Sequence, residues 1–273
     1  MLNIDLNELF SVRNRSVVIT GGASGIGLAV ASTLTDRGAN ITLLDRDHQK
    51  LELAVQHLSG REGKIRGAIC NVKDSDNLRR EFDSAASTQG GIDIVFANAG
   101  IGSELPGSRG FDGSRMPQGE IDSYDVADWE NILGVNLTGV FLTAREAARH
   151  MKKNGWGRLI ITSSEMALRN SAFIGTSYMV SKAGVAHLAR NLALELAQNG
   201  ITVNAIAPGA FETDISGGAL HDPSIREMIA AGVPLGRVGQ VEDLTGLILF
   251  LASPASDYMT GAHISIDGGS TLR

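Results

Sequence analysis

Short runs of aliphatic and β-branched residues alternate with longer stretches of helical periodicity along most of the chain, and few folds accommodate that order. Ser16-Val-Val-Ile-Thr20 reads as a buried strand, and the helix after it repeats apolar residues at Ile26, Ala29, Val30 and Leu34 before stopping at Gly38. Residues 41–45 form a second strand candidate, and residues 47–58 a second helix that ends ahead of Gly60. Further strands are expected at 64–70, 93–97, 158–163, 201–206 and 263–267, with helical patterns between them. Strands and helices in this alternation imply parallel pairing through crossover helices, and the near-continuous apolar character of each strand suits a sheet covered on both faces. The expected fold is therefore α/β: a doubly wound, mostly parallel sheet of about seven strands with helices on both faces, Rossmann-like in plan. No shift in composition marks a linker, so residues 1–273 are read as one domain. The lead-in, residues 1–15, carries no pattern that assigns it.

Composition removes several function classes. The chain has 24 basic and 30 acidic residues, a net charge of −6, which is the wrong sign for a nucleic-acid partner. The longest apolar stretch, 246–252, falls far short of the roughly 18 residues needed to cross a bilayer. The first ten residues lack the basic head of a secretory signal, so a cytoplasmic chain with no membrane partner is expected. A single cysteine, Cys70, excludes an internal disulfide, and is read as a small hydrophobe closing a buried strand. Six histidines without HxxxH spacing suggest no metal site. Glycine is over-represented at 33 residues without any repeat, which points to tight turns and close backbone approach.

Two long segments, 100–125 and 208–238, follow the carboxyl ends of strand candidates, the edge where open α/β sheets bind ligands. The first is rich in Gly, Ser and Pro and carries Phe111 and Tyr124. Both are read as substrate-side loops, since structureless loops of this length are often functional.

Thr20-Gly-Gly-Ala-Ser-Gly-Ile-Gly27 joins the first strand to the first helix. Glycines there let the backbone turn sharply against a pyrophosphate, while the helix N-terminus presents free N–H groups and the positive end of its dipole. Gly21, Ser24, Gly25, Ile26 and Gly27 are thus candidate cofactor contacts. Asp45 stands 24 residues beyond Gly21 at the end of the second strand, where an acid binds the adenine-ribose hydroxyls of NAD. The same acid would repel a 2′-phosphate, so NAD is expected over NADP, with Arg46 next door able to soften the preference. No GK[ST] follows the turn, which removes a nucleoside-triphosphate loop. Ser24 lacks the final glycine of a GxSxG elbow, so it is not a hydrolase nucleophile.

Tyr178-Met-Val-Ser-Lys182 opens a strongly helical stretch, and residues four apart share a helix face. A free phenol has a pKa near 10, so it is a poor base at neutral pH. A lysine ammonium and a positive nicotinamide are the cations that would favour its ionised form. Tyr178 would then exchange a proton with an alcohol, and a serine hydroxyl beside it would bond the substrate oxygen where negative charge develops. Ser163 and Ser164 both end the preceding strand and both remain candidates for that serine.

TGGASGIG at 20–27, ANAG at 97–100, Asn136 within GVNLTG, Ser163-Ser164, YMVSK at 178–182 and VNAIAPG at 203–209 together resemble the short-chain dehydrogenase/reductase family, in the right order over about residues 9–270. The resemblance implies that Ser164 orients the substrate, Tyr178 is the acid–base, and Lys182 binds the nicotinamide ribose while lowering the tyrosine pKa. It implies that Asn136 holds a water in a proton relay from Lys182. It places Asn98, Ala99 and Gly100 along the adenosine side, Asn71 and Val72 near the adenine, and Pro208, Gly209 and Thr213 at the nicotinamide end. Alignment on the strand favours Ser164 over Ser163, with one residue inserted before the tyrosine. Asn71 replaces a common Asp, and Ala97 replaces the first Asn of NNAG. Glu165 either lines the substrate pocket or is an exposed loop acid.

The stretch 177–198 is apolar nearly all round, which requires burial on more than one side. By the resemblance, the second cover is another subunit, usually within a homotetramer. The expected activity is hydride transfer between NAD and a secondary alcohol or ketone, with a small polar hydroxylated substrate. The alternatives are an NADPH-dependent 3-oxoacyl carrier-protein reductase and a non-catalytic dinucleotide-binding scaffold.

Overall fold

A computed structural model describes residues 5–103, 107–110 and 112–272. Seven strands form one sheet: β1 (Ser16–Thr20), β2 (Asn40–Asp45), β3 (Ile65–Ile69), β4 (Ile94–Ala97), β5 (Gly157–Thr162), β6 (Ile201–Pro208) and β7 (His263–Ile266). All pairings are parallel, in the order β3-β2-β1-β4-β5-β6-β7. The chain therefore builds outward from β1 in one direction and returns to build outward from β4 in the other. The connections after β1 and β4 leave the sheet on either side of that reversal, which opens a crevice at the carboxyl edge.

The helices are α1 (Leu6–Leu9), α2 (Gly25–Thr35), α3 (His48–Leu58), α4 (Ser75–Gln89), α5 (Val126–Leu133), α6 (Val140–Asn154), α7 (Thr176–Leu196), α8 (Pro223–Gly232) and α9 (Thr245–Ala252). Side chains alternate across each strand, so one run of apolar residues feeds two cores. In β1, Val17 and Ile19 join Leu34, Leu51, Ile248 and Leu251 beneath α2, α3 and α9. Val18 turns the other way and joins Phe82, Met151, Val185 and Ala189 beneath α4, α6 and α7. The same division places Ile94 and Phe96 of β4 on the first side and Val95 on the second.

Differences from the sequence expectation lie at edges and ends. β3 is an edge strand, and its outer residues are only half covered, with Ile69 53% exposed. Asp47 is not the first helical residue but the N-cap of α3, its carboxylate accepting the Lys50 N–H (3.0 Å). The unassigned lead-in contains the single helical turn α1, and the stretch 208–238 contains a 3-10 segment, Ile215–His221, and α8. Among the described residues no helix is long and apolar enough to cross a membrane, and no group of three acidic, histidine or cysteine side chains could hold a metal ion.

Phe82 has no solvent exposure and anchors α4 against the sheet. Truncating it (Phe82→Ala) should cost about 3–5 kcal/mol, read as a lowered urea midpoint at unchanged slope.

Candidate active site

The crevice at the strand reversal is a cleft of about 850 Å³. The glycine-rich turn forms one wall. Gly21 (φ +63°) and Gly25 (φ +50°) take left-handed backbone conformations that other residues adopt only with strain. A Cβ on Gly27 would stand 2.1 Å from the Gly21 carbonyl oxygen, so only glycine lets the turn close on the first turn of α2. Gly21, Ser24, Gly25 and Ile26 line the cleft, whereas Gly27 lies behind them. Ser24 is the N-cap of α2 but makes no side-chain cap bond. Its hydroxyl and the free N–H groups of the first turn suit an anionic pyrophosphate.

Asp45 ends β2 at the cleft, with Oδ2 accepting the Ala23 N–H (3.1 Å) and Oδ1 the Asp47 N–H (3.1 Å). Two backbone donors thus fix the carboxylate. Arg46 beside it is exposed and also lines the cleft. Asn71 and Val72 line the cleft beyond β3, and the Asn71 Oδ1 accepts the Lys73 N–H (3.1 Å), leaving its amide protons to donate. Asn98 bridges the reversal: Nδ2 donates to the Gly21 carbonyl (3.1 Å) and Oδ1 accepts from the Thr162 hydroxyl (3.0 Å). Ala99 and Gly100 continue this wall, while Pro208, Gly209 and Thr213 line the opposite end. Thr213 packs so near the glycine turn that its Cγ2 would lie 3.3 Å from a Cβ on Gly25. Lys50 and Asp214 pair across the mouth of the cleft (3.1 Å), a contact between distant segments with no signal in the sequence.

Ser163, Ser164, Tyr178 and Lys182 all line the cleft at its floor. The two serines differ in what they bond. The Ser163 hydroxyl donates to the Lys182 carbonyl (2.9 Å) and so anchors α7 to β5. The Ser164 hydroxyl accepts the Met166 N–H (3.2 Å) and faces the Tyr178 phenol. The Lys182 ammonium is 3% exposed, donates to the Thr162 carbonyl (3.0 Å), and stands 5.6 Å from the centre of the Tyr178 ring. Burial brings the lysine pKa down to about 8. It raises that of Tyr178, an effect opposed by Ser164 and reinforced by the Glu165 carboxylate. The sequence points to two cations that would favour the ionised phenol, Lys182 and a bound nicotinamide; within the chain itself, burial is the largest influence on Tyr178 and favours its neutral form.

Asn136 is fully buried behind this floor instead of lining the cleft. Its Nδ2 donates to the Ile101 carbonyl (2.9 Å) and the Ser181 hydroxyl (3.3 Å), and its Oδ1 accepts the Ile101 N–H (2.8 Å). It sits in a π-helical turn, Gly134–Gly139, just ahead of α6, a local widening often found at functional sites. A Cβ on Gly100 would lie 3.4 Å from both Asn136 Oδ1 and Lys182 Nζ, which places the strand end beside both groups.

Glu165 is buried but does not line the cleft; the Ser270 hydroxyl and the Arg169 Nε–H (3.1 Å) both donate to its Oε2. It faces the C-terminal turn, a partner too distant in sequence to be foreseen. Cys70 is buried at the cleft wall, where desolvation pushes its thiol up to about 12 and keeps it neutral. Phe111, part of the long loop read from sequence, lies outside the described residues.

Comparison with known proteins agrees with this architecture. A family model described as enoyl-(acyl carrier protein) reductase matches residues 21–271. Cis-4-hydroxycyclohexanecarboxylate dehydrogenase of Sinomonas cyclohexanicum is 36% identical over 268 residues, 97% of this chain and 99% of that protein. A short-chain type dehydrogenase/reductase from Mycobacterium marinum superposes with a TM-score of 0.88 at 34% identity, covering 98% of this chain and 100% of the other. A gluconate 5-dehydrogenase from Burkholderia cenocepacia, solved in complex with NADP and tartrate, gives 0.85 at 32% identity, with 98% and 100% covered. The chain belongs to the short-chain dehydrogenase/reductase family.

Two outcomes test this geometry. Gly27→Ala should weaken NADH binding at least about tenfold, equivalent to 1.4 kcal/mol, by fluorescence titration, because the turn must open to admit the methyl group. Lys182 titrates near pH 8 in the folded chain and near 10.4 unfolded, so the penalty for burying its charge is fully present below pH 8 and relieved as pH rises toward 10.4. Wild-type stability relative to Lys182→Met should therefore climb between pH 8 and 10 by up to about 1.4 kcal/mol per pH unit, measured by paired urea melts.

Proposed function

We propose that the chain is an NAD-dependent dehydrogenase acting on a small, polar secondary alcohol. Family membership itself gives the coarser statement: hydride transfer between a nicotinamide dinucleotide and a secondary alcohol or ketone. The observation that carries the finer reading is the convergence of Ser164, Tyr178 and Lys182 on one floor, opposite a glycine cradle that a single methyl group would fill. The cradle, the α2 N-terminus and the fixed Asp45 carboxylate fit a dinucleotide with free ribose hydroxyls. Bound NAD supplies the hydride acceptor and a positive ring charge. In oxidation, Tyr178 takes the alcohol proton at its phenolic oxygen, and in reduction it returns that proton. Ser164 donates its hydroxyl hydrogen to the substrate oxygen. Lys182 holds the ribose hydroxyls and favours the phenolate. Asn136, clamped on Ile101 and Ser181, is assigned the water that carries protons away from Lys182.

A polar substrate is supported by the serine hydroxyls of the cleft and by the hydroxy acid and sugar acid named in two relatives. A homotetramer in the cytoplasm completes the reading. α7 buries one stripe against the sheet and leaves Val180 and Leu194 outward, the latter 83% exposed, with Phe141 of α6 exposed as well. Light scattering at micromolar concentration should return the mass of four chains; a single-chain mass removes this assembly.

The cofactor preference follows from Asp45. Like charges set against a 2′-phosphate disfavour NADP by several kcal/mol, so kcat/KM with NAD⁺ should exceed that with NADP⁺ about a hundredfold, less whatever Arg46 returns. Equal or reversed efficiencies would assign the site to NADP and revive the carrier-protein reductase reading. Tyr178→Phe should lower turnover about 10²–10⁴-fold while NADH affinity holds. A fully active variant would dismiss the proton-transfer role, and a wild-type chain that binds NADH but oxidises none of a panel of polyols, hydroxy acids and cyclic diols would leave the scaffold reading.

A further inference from the structure

One carboxylate oxygen outside the cleft gathers the hydroxyl groups of Ser103, Tyr124 and Ser177. Asp128 lies in the first turn of α5, and its Oδ2 accepts from Ser103 (3.0 Å), Tyr124 (3.0 Å) and Ser177 (3.1 Å). The hydroxyls also touch one another, Tyr124 to Ser177 at 2.8 Å and Ser103 to Tyr124 at 3.2 Å. Three hydroxyl protons cannot fill five contacts at once, so they are shared among them, and the carboxylate oxygen is the one acceptor within reach of all three hydroxyls. An ionised carboxylate brings acceptors only, and hydrogen bonds to it are stronger than those between neutral groups.

The positions of the partners give the cluster its meaning. Ser103 lines the cleft on the substrate side, and Tyr124 ends the long loop that starts at Gly100. Ser177 is fully buried in the first turn of α7, directly before Tyr178. That turn has no side-chain N-cap of its own, and an anion there complements the helix dipole. The join is tight: a Cβ on Gly175 would come within 2.7 Å of the Ser103 hydroxyl and 2.9 Å of the Tyr124 hydroxyl.

We propose that Asp128 is a positioning residue for the reaction, tying the substrate-side loop to the helix turn that carries Tyr178 through the Ser103, Tyr124 and Ser177 hydroxyls. The proposal rests on the hydride-transfer reading for its catalytic consequence, not for its structural one. Removing the carboxylate takes away the acceptor that the three hydroxyls share, so the loop loses its side-chain tie to the helix turn that carries Tyr178. A misplacement of about 1 Å at a reacting group can reduce rate about a hundredfold.

The test uses the full chain as Asp128→Ala, Asp128→Asn and Tyr124→Phe. In the alanine variant, amide hydrogen exchange should rise across residues 101–103 and 112–125, and kcat/KM for the best alcohol substrate should fall about tenfold to a hundredfold, with the loss mainly in kcat. NADH affinity should stay within about twofold, because no cofactor contact is touched. Asparagine keeps one acceptor oxygen and should restore most of the rate, and Tyr124→Phe, which loses one hydroxyl at the loop, should repeat the alanine effect in weaker form. Unchanged exchange and unchanged kcat/KM in both Asp128→Ala and Tyr124→Phe would overturn the proposal. So would a drop in melting temperature and NADH affinity that runs in step with the rate loss and is not rescued by asparagine, the mark of general destabilisation. Should the wild-type chain oxidise no alcohol at all, the functional reading fails, and the exchange measurement still decides whether Asp128 holds the loop.

Discussion

A lysine ammonium held almost wholly out of water is the constraint around which the site is organised. Removing such a charge from water is expensive unless polar groups surround it, and the drop of the Lys182 pKa to about 8 is the measure of that strain. Its neighbours answer the need in layers. The Thr162 carbonyl accepts from it, Ser163 fixes its backbone, and Gly100 lies against it. Asn136 then locks the segment following Gly100 from behind. A structural protein would replace this arrangement with apolar packing at little loss, since buried charges seldom add stability. Retaining the ammonium at the floor of a cleft is a feature that chemistry explains better than folding does.

The same floor depends on the sheet reversal, because only there do the ends of β1, β4 and β5 converge on one crevice. Asn98 makes the convergence rigid by bonding the β1 turn with one end of its amide and the β5 end with the other. The glycine turn after β1 and the carboxyl end of β5 are therefore referred to a common side chain. Loops supply what the sheet does not: Asp214 of the segment 208–238 pairs with Lys50 of α3 beside the cleft, and Gly100, Ile101, Gly102 and Ser103 line it.

Most of this was legible in the sequence, for reasons that can be stated. Parallel strands covered on both faces require apolar runs, and β1, β2 and β4 to β6 carry them; β3 misled only because an edge strand need cover one side less completely. Gly21, Gly25 and Gly27 were visible because backbone conformation and closeness leave no other residue possible there. Tyr178 and Lys182 were visible because helical spacing is local. What stayed hidden was of two kinds. The choice between Ser163 and Ser164 turns on which hydroxyl is consumed by the α7 backbone, a fact of packing that spacing cannot carry. The partners of Glu165 and of Asp128 come from distant segments, and single polar residues give no periodic signal by which to pair them.

The tyrosine illustrates why residue types in a motif do not by themselves give reactivity. Spacing argues that an ammonium one turn away should draw the phenol toward ionisation, yet burial acts on both members of the pair at once. It moves the lysine down and the tyrosine up, so each is pushed toward its neutral form. For Tyr178 the balance favours the protonated phenol. What the fold itself supplies is placement: the ends of β5 and α7 bring the phenol, the ammonium and the Ser164 hydroxyl to one floor, and their protonation follows from the burial that this placement imposes.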